Sequence, residues 1–299
     1  MRASSFTLAL LARRCAVKRV GLLLASGLLW SANVSADTND PCPQLRVQTG
    51  AADMATRIAA VACQENHAWF RTFIDADGRV GGQAVYEAEN DALADGAQAW
   101  RKVATYWTST NMGGACVTRS PACRNFVVDM PWSAAFVSWV MRQARVPGFT
   151  ASSRHLDYVR AAWRPSQRSP YRLLSPQEAA PATGDLLCYV RAGTRVLGHR
   201  GLLDRLEDNS QLPMHCDIVV ATAPAQMAWL VGGNVQQAVT LRMLRLDAQG
   251  RFADLPQRGD SDPRCSPDAP TLCNLNRQDW VALLKLTPQT DSLTASNLP

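Results

Sequence analysis

Apolar residues recur at helical spacing in the first half of the chain and at strand spacing in the second. In "AADMATRIAAVACQENHAWFRTF", residues 51–73, the positions Met54, Ile58, Val61, Cys63, Glu65 and Trp69 follow a mostly helical period and predict an amphipathic helix. "YEAENDALADGAQAWRKVATYW" predicts a second helix, with Tyr86, Leu93, Trp100, Val103 and Trp107 along one stripe. The Gly, Ser and Asn content of "TSTNMGGACVTRSPACRN" reads as a loop. In "DMPWSAAFVSWVMRQARV", Ala135, Phe136, Trp139, Val140 and Gln143 predict a buried helix of about three turns. Proline stops it before Val146-Pro147-Gly148.

Beyond a Pro-rich linker around "SPQEAAPATG" the period becomes two. "GDLLCYVR", "HCDIVVATA", "QMAWLVGGNV", "AVTLRMLRL" and "WVALLKL" are strand candidates, and "LDAQGRF" carries a hairpin turn. Helices first and four or five antiparallel strands afterwards make an α+β layout, with the helices packed on one sheet. No internal repeat is visible.

The amino terminus has another purpose. A basic stretch with Arg13, Arg14, Lys18 and Arg19, a short apolar run "GLLLASGLLW", and the small-x-small ending Val34-Ser35-Ala36 make a secretory signal peptide cleaved after Ala36. The apolar run is too short to span a bilayer well, so no stable membrane span is expected after cleavage. The chain has 31 Lys+Arg against 25 Asp+Glu. The first 36 residues hold five basic and no acidic residues, leaving 26 against 25. A nearly neutral mature chain offers no electrostatic footprint for nucleic acid.

Eight cysteines remain after cleavage: Cys42, Cys63, Cys116, Cys123, Cys188, Cys216, Cys265 and Cys273. An even count in an exported chain favours disulfides. Cys116/Cys123 and Cys265/Cys273 each bracket a short proline-containing loop. Cys42 could tie the leader to the first helix at Cys63, and Cys188 and Cys216 either pair or pack as small apolar groups. No pattern has zinc spacing, so no metal and no cofactor is assigned.

Ser133 stands at the mouth of the central helix. It either caps that helix or attacks a substrate. Attack needs a base, and of four histidines His215 opens a strand, where it could be held rigidly; it also reads as an ordinary half-buried strand histidine. Asn234, in "VGGNV" on the next strand, could fix its tautomer, although GGN is also a plain turn. Trp132, His155 and Tyr158 are candidates for orienting a substrate beside Ser133. "SSRHLDYVRAAW" reads equally as a solvated helix face anchored by Leu156, Val159 and Trp163.

Together these segments carry a resemblance. "PWSAAFVSWVM" resembles the nucleophile helix of the CHAP and NlpC-type cell-wall amidases, which typically reads W-C-A-A-F-V-S-W. "GDLLCYV" resembles their G-D-L strand, "HCDIVV" their G-H-V-x-x-V strand, and "LVGGNV" their orienting position. The whole is most similar to the bacterial domain of unknown function 2272, over roughly residues 50 to 290. The resemblance implies a papain-like fold, Ser133, His215 and Asn234 as the catalytic set, and a peptidoglycan amide or ester, or another cell-envelope component, as substrate. It also implies a rival, an inactive peptidoglycan- or protein-binding module of the same fold. The departure is serine where those amidases carry cysteine, because a serine hydroxyl needs more activation than a thiol.

The expected organisation is a signal peptide over 1–36, an unstructured leader over 37–50, N-terminal helices over 51–110, a papain-like core over 111–290 and a disordered tail over 291–299, in a protein of the periplasm or beyond.

Overall fold

In a computed structural model of the chain, residues 40–83, 91–116, 121–166, 168–191, 195–223, 227–252 and 254–287 are described. The expected signal peptide and the expected tail after residue 290 lie outside them. All described residues belong to the unit Asn39–Pro299.

The leader, expected to lack structure, instead holds a short helix, α1 (Cys42–Leu45), because the Cys42–Cys63 disulfide ties it to α2 (Met54–Ala68). Asp53 caps α2 by accepting from the Thr56 N–H, which satisfies one of its orphan donors. The second predicted helix is shorter than its apolar stripe. α3 is Ala99–Trp107, and in front of it an isolated bridge joins Ala92 to Gln98 around Gly96; residues 84–90 lie outside the described residues.

α4 (Pro121–Asp129) begins inside the segment read as a loop, with proline in the first helical position, where its missing N–H costs nothing. Its Cys123 is joined to Cys116. The central helix α5 (Ser133–Gln143) runs three turns as expected, and α6 (His155–Trp163) returns after the turn at Pro147-Gly148. "LGHRGLLDR", a polar loop by composition, folds as α7 (Gly198–Glu207), because Leu202 and Leu206 supply one buried i, i+4 pair.

The sheet has eight strands among the described residues: β1 (Phe73–Ile74), β2 (Val80–Gly81), β3 (Tyr171–Leu174), β4 (Leu186–Val190), β5 (Met214–Ala223), β6 (Met227–Val235), β7 (Ala238–Arg245) and β8 (Asp279–Leu286). Their order is β2-β1-β7-β6-β5-β4-β8-β3. All neighbours are antiparallel except β1 with β7. The five predicted strands are its centre. The three additional strands are two to four residues long, too short to show a period. "LDAQGRF" does turn, with Gly250 N–H donating to the Asp247 carbonyl.

Both faces of the central strands are covered. Leu186, Cys188, Cys216, Ile218 and Val220 face the helices, and Leu187, Tyr189, Val219, Trp280 and Leu283 form a second core with Phe252 and Leu255. Strands buried twice read as near-continuous apolar runs, which is why "DIVVA" and "WVALL" do not alternate. Cys188 opposes Cys216 in register and is bonded to it, and Cys265 is bonded to Cys273. Asp185 fastens the start of β4 to β8: its carboxylate accepts from the Ala182 and Leu286 N–H groups and from Lys285 Nζ.

Candidate active site

Ser133 is the first residue of α5, and the helix cap is Trp132, whose side chain makes no cap bond. The first intrahelical bond runs from Phe136 N–H to the Trp132 carbonyl. The N–H groups of residues 133–135 therefore precede the ladder and point out of the helix at its positive end. The serine hydroxyl does not cap. Its Oγ lies 2.9 Å from His155 Nε2.

His155 reaches it because α6 begins there, folded back along α5. The Tyr158 hydroxyl locks the two helices, 2.7 Å from the Ala134 carbonyl, 2.6 Å from the Ser152 carbonyl and 2.7 Å from Ser138 Oγ. Tyr158 is thus a strut between the helices. Trp132 is wholly buried, stacked on Trp69 at 5.4 Å between ring centroids and 5.6 Å from the Tyr106 ring. His155, which sequence places among the orienting groups, is the imidazole that touches the serine.

His215 sits behind it, ring centroids 5.1 Å apart. Its Nε2 is 2.6 Å from Asp217 Oδ1, and Arg191 Nη2 is 2.8 Å from its Nδ1. A guanidinium can only donate. Nδ1 therefore carries the lone pair and Nε2–H donates to the carboxylate, which makes His215 a neutral ring with both nitrogens occupied. A base needs a free lone pair aimed at the serine, and this ring has given its own to Arg191. The expected Ser133–His215 contact is thus replaced by Ser133–His155. Asn234 is replaced too: the group that orients His215 is Asp217. Asn234 lies half-buried at φ 56°, where the β6–β7 register shifts between Gly232 and Val235, a left-handed conformation that asparagine tolerates.

Arg242 completes the network. Its Nε donates to Asp217 Oδ2 at 2.8 Å, and its Nη1 donates to the Leu275 carbonyl and to Asn276 Oδ1. Burial alone would raise the Asp217 carboxyl, but His215 and Arg242 outweigh it and hold it well below the usual carboxylate range. Burial pushes His215 down, with Asp217 opposing and the arginines assisting. Burial likewise pushes His155 well below its ordinary value, aided by His215 and Arg191. His155 is consequently neutral at pH 7, as a proton acceptor must be. Its Nδ1 is buried and has no hydrogen-bond partner among the described residues.

Sequence reasoning misses Asp217, Arg191 and Arg242. A signal for Asp217 is present: in a strand, residues 215 and 217 share a face, so "HCD" places a carboxylate beside the ring. Ser133 and His155 keep 4% and 3% of their surface, so the site is closed in this conformation. Among the described residues no group of three or more His, Cys, Asp or Glu is arranged to hold a metal, and no helix is long and apolar enough to cross a membrane.

The model of one protein family, described as an uncharacterized protein conserved in bacteria (DUF2272), matches residues 94–286. No curated protein and no solved structure matches the chain.

Proposed function

The chain belongs to DUF2272, a family of uncharacterized proteins conserved in bacteria, and we propose that it is an exported, papain-like hydrolase of cell-envelope amides or esters with Ser133 as nucleophile. The observation that carries this reading is the 2.9 Å contact between Ser133 Oγ and His155 Nε2 at the start of α5. Nucleophile and base within hydrogen-bond reach are the geometric core of covalent acyl transfer. In the reactive tautomer His155 carries its proton on Nδ1, and Nε2 takes the Ser133 proton as Oγ attacks a carbonyl. The free N–H groups at the head of α5 suit the oxyanion that develops. His155 then returns the proton to the leaving amine or alcohol, and water releases the acyl group by the same route in reverse. Ionised Asp217 favours the imidazolium formed meanwhile, against burial and the charge of Arg191, so the proton is held only briefly.

Export is supported by the signal-like amino terminus and by the joining of all eight remaining cysteines in four pairs. Peptidoglycan is the substrate class that the resemblance of the Ser133 helix and the strands after it implies.

A second reading is a silent module of the same fold that grips peptidoglycan or a protein. What favours it is the burial of Trp132 and Ser133 and the absence of a carboxylate at His155 Nδ1 among the described residues. Hydrolysis assays on purified peptidoglycan and small esters separate the two. The hydrolase reading expects turnover by the wild type and none by Ser133→Ala. Turnover by Ser133→Cys alone would leave a fold without native activity, and sedimentation with intact peptidoglycan without turnover would support the silent module.

A further inference from the structure

At the other end of α5, between α2, α3 and the stretch 49–52, lies an open cavity of about 700 Å³. That is the size of a small-molecule site. It shares no residue with the Ser133 cluster, so a ligand bound there is independent of the hydrolase reading.

Its walls carry three cations, Arg57, Lys102 and Arg145, against one carboxylate, Glu65. That carboxylate is already used, and with it Lys102: one oxygen accepts from Lys102 Nζ at 2.9 Å and the other from the Tyr106 hydroxyl at 2.5 Å, and Lys102 Nζ lies 3.7 Å from Asp95 as well. Arg57 donates to the carbonyls of Ala51, Ala52 and Ala144, which fix it in place, and it makes no ion pair among the described residues, although its charge is felt by Asp53. Among the described residues Arg145 is paired with none either.

Arg145 is the informative residue. Its N–H donates to the Arg142 carbonyl and the next N–H, of Val146, donates to the Met141 carbonyl, which is the Schellman ending of α5. Arg145 occupies the left-handed position of that motif, at φ 55°. Glycine is the favoured residue there, and an arginine bears backbone strain. Strain kept at the rim of a positively charged cavity points to use of the side chain.

The remaining lining is neutral and selective. Trp139 is half-buried, with the Tyr106 ring 5.3 Å away and Lys102 Nζ over its ring at 5.9 Å, and the rest of the indole lines the cavity. Gln64 and Gln143 are exposed amides, without partners among the described residues, and each both donates and accepts as sugar hydroxyls do. We propose that the cavity binds a sugar acid: the ring lies on Trp139, its hydroxyls meet Gln64 and Gln143, and its carboxylate is held by Arg145.

The test is calorimetric titration of the full mature chain with glucuronate, with glucose and inorganic phosphate as separate arms. Arg145→Gly and Gln143→Ala are titrated in the same way. Glucuronate should bind, with glucose and phosphate at least about tenfold weaker. Arg145→Gly should weaken glucuronate at least about tenfold while its melting temperature holds or rises, since glycine suits the turn. Gln143→Ala, at an exposed helix end, tests the same site without touching that turn and should also lose affinity. Equal binding of glucose, phosphate binding in place of glucuronate, no glucuronate binding, or undiminished affinity in both variants would each overturn the proposal.

Discussion

A Cβ at position 232 would fall 1.8 Å from Asp217 Oδ1. Gly232 is therefore the space in which the buried carboxylate stands. The next glycine does the same for the helix layer, since a Cβ on Gly233 would fall 2.5 Å from the Phe136 side chain on α5. Between them the two glycines let β6 approach both the His215–Asp217 pair and the Ser133 helix. Gly232→Ala should destabilise the fold by about 2 kcal/mol or more, through overpacking and displacement of a charged group. Urea unfolding measures it, and a change below about 0.5 kcal/mol, the size of a neutral surface substitution, would contradict this packing.

Asp217 and Arg242 are both essentially buried and 2.8 Å apart. Removing one charge strands the other. Asp217→Asn should cost about 3–5 kcal/mol, and Asp217→Asn with Arg242→Met should recover part of that, because breaking a buried pair costs more than replacing it. Additive losses in the double variant, measured by the same unfolding, would rule the pairing out.

The histidines set an acid limit. His155 and His215 both have depressed folded values, so below the unfolded value of about 6.5 the unfolded chain binds protons that the native chain refuses. Their contribution is complete above that pH and is lost as pH falls, each at up to about 1.4 kcal/mol per pH unit. Asp217, whose folded value is depressed as well, gives way only below about pH 4, the unfolded carboxylate value. Unfolding free energies from pH 7.5 to 5 should therefore fall in the wild type and fall less steeply in His155→Phe. An equal slope in the two would mean that His155 is not buried neutral.

Four disulfides are expected by peptide mapping without reduction: 42–63, 116–123, 188–216 and 265–273. Of these, 188–216 closes a loop with a sequence separation of 28 across the β4–β5 pair that holds His215. Cys188→Ala with Cys216→Ala should lower stability by about 3 kcal/mol. Free thiols at 188 and 216 in the oxidised protein would count against the pairing.

Most of the fold is legible in the sequence where the apolar period is long. α2, α5 and the five central strands follow directly from residue spacing. α4 and α7 are hidden because their apolar residues are few, and β1–β3 because two to four residues hold no period. The site is half legible. Ser133 is visible as a helix-start serine, and the segment carrying His155 reads as returning beside it. The role expected of His215 fails on a contact that no pattern encodes: the guanidinium of Arg191 arrives from the end of β4 and takes the lone pair. Position on the neighbouring strand favours Asn234, yet the orienting group is Asp217, two residues from His215 on the same face.

Ser133 activated by His155 is the central claim, and it has a direct test. Phosphonylation of the intact, oxidised protein by a small fluorophosphonate is read by intact mass and by mapping the modified peptide. One adduct is expected, on Ser133, absent from Ser133→Ala and strongly slowed in His155→Phe, with labelling rising with pH as His155 becomes the free base. No adduct on Ser133 in folded wild type, or labelling indifferent to His155, would contradict it.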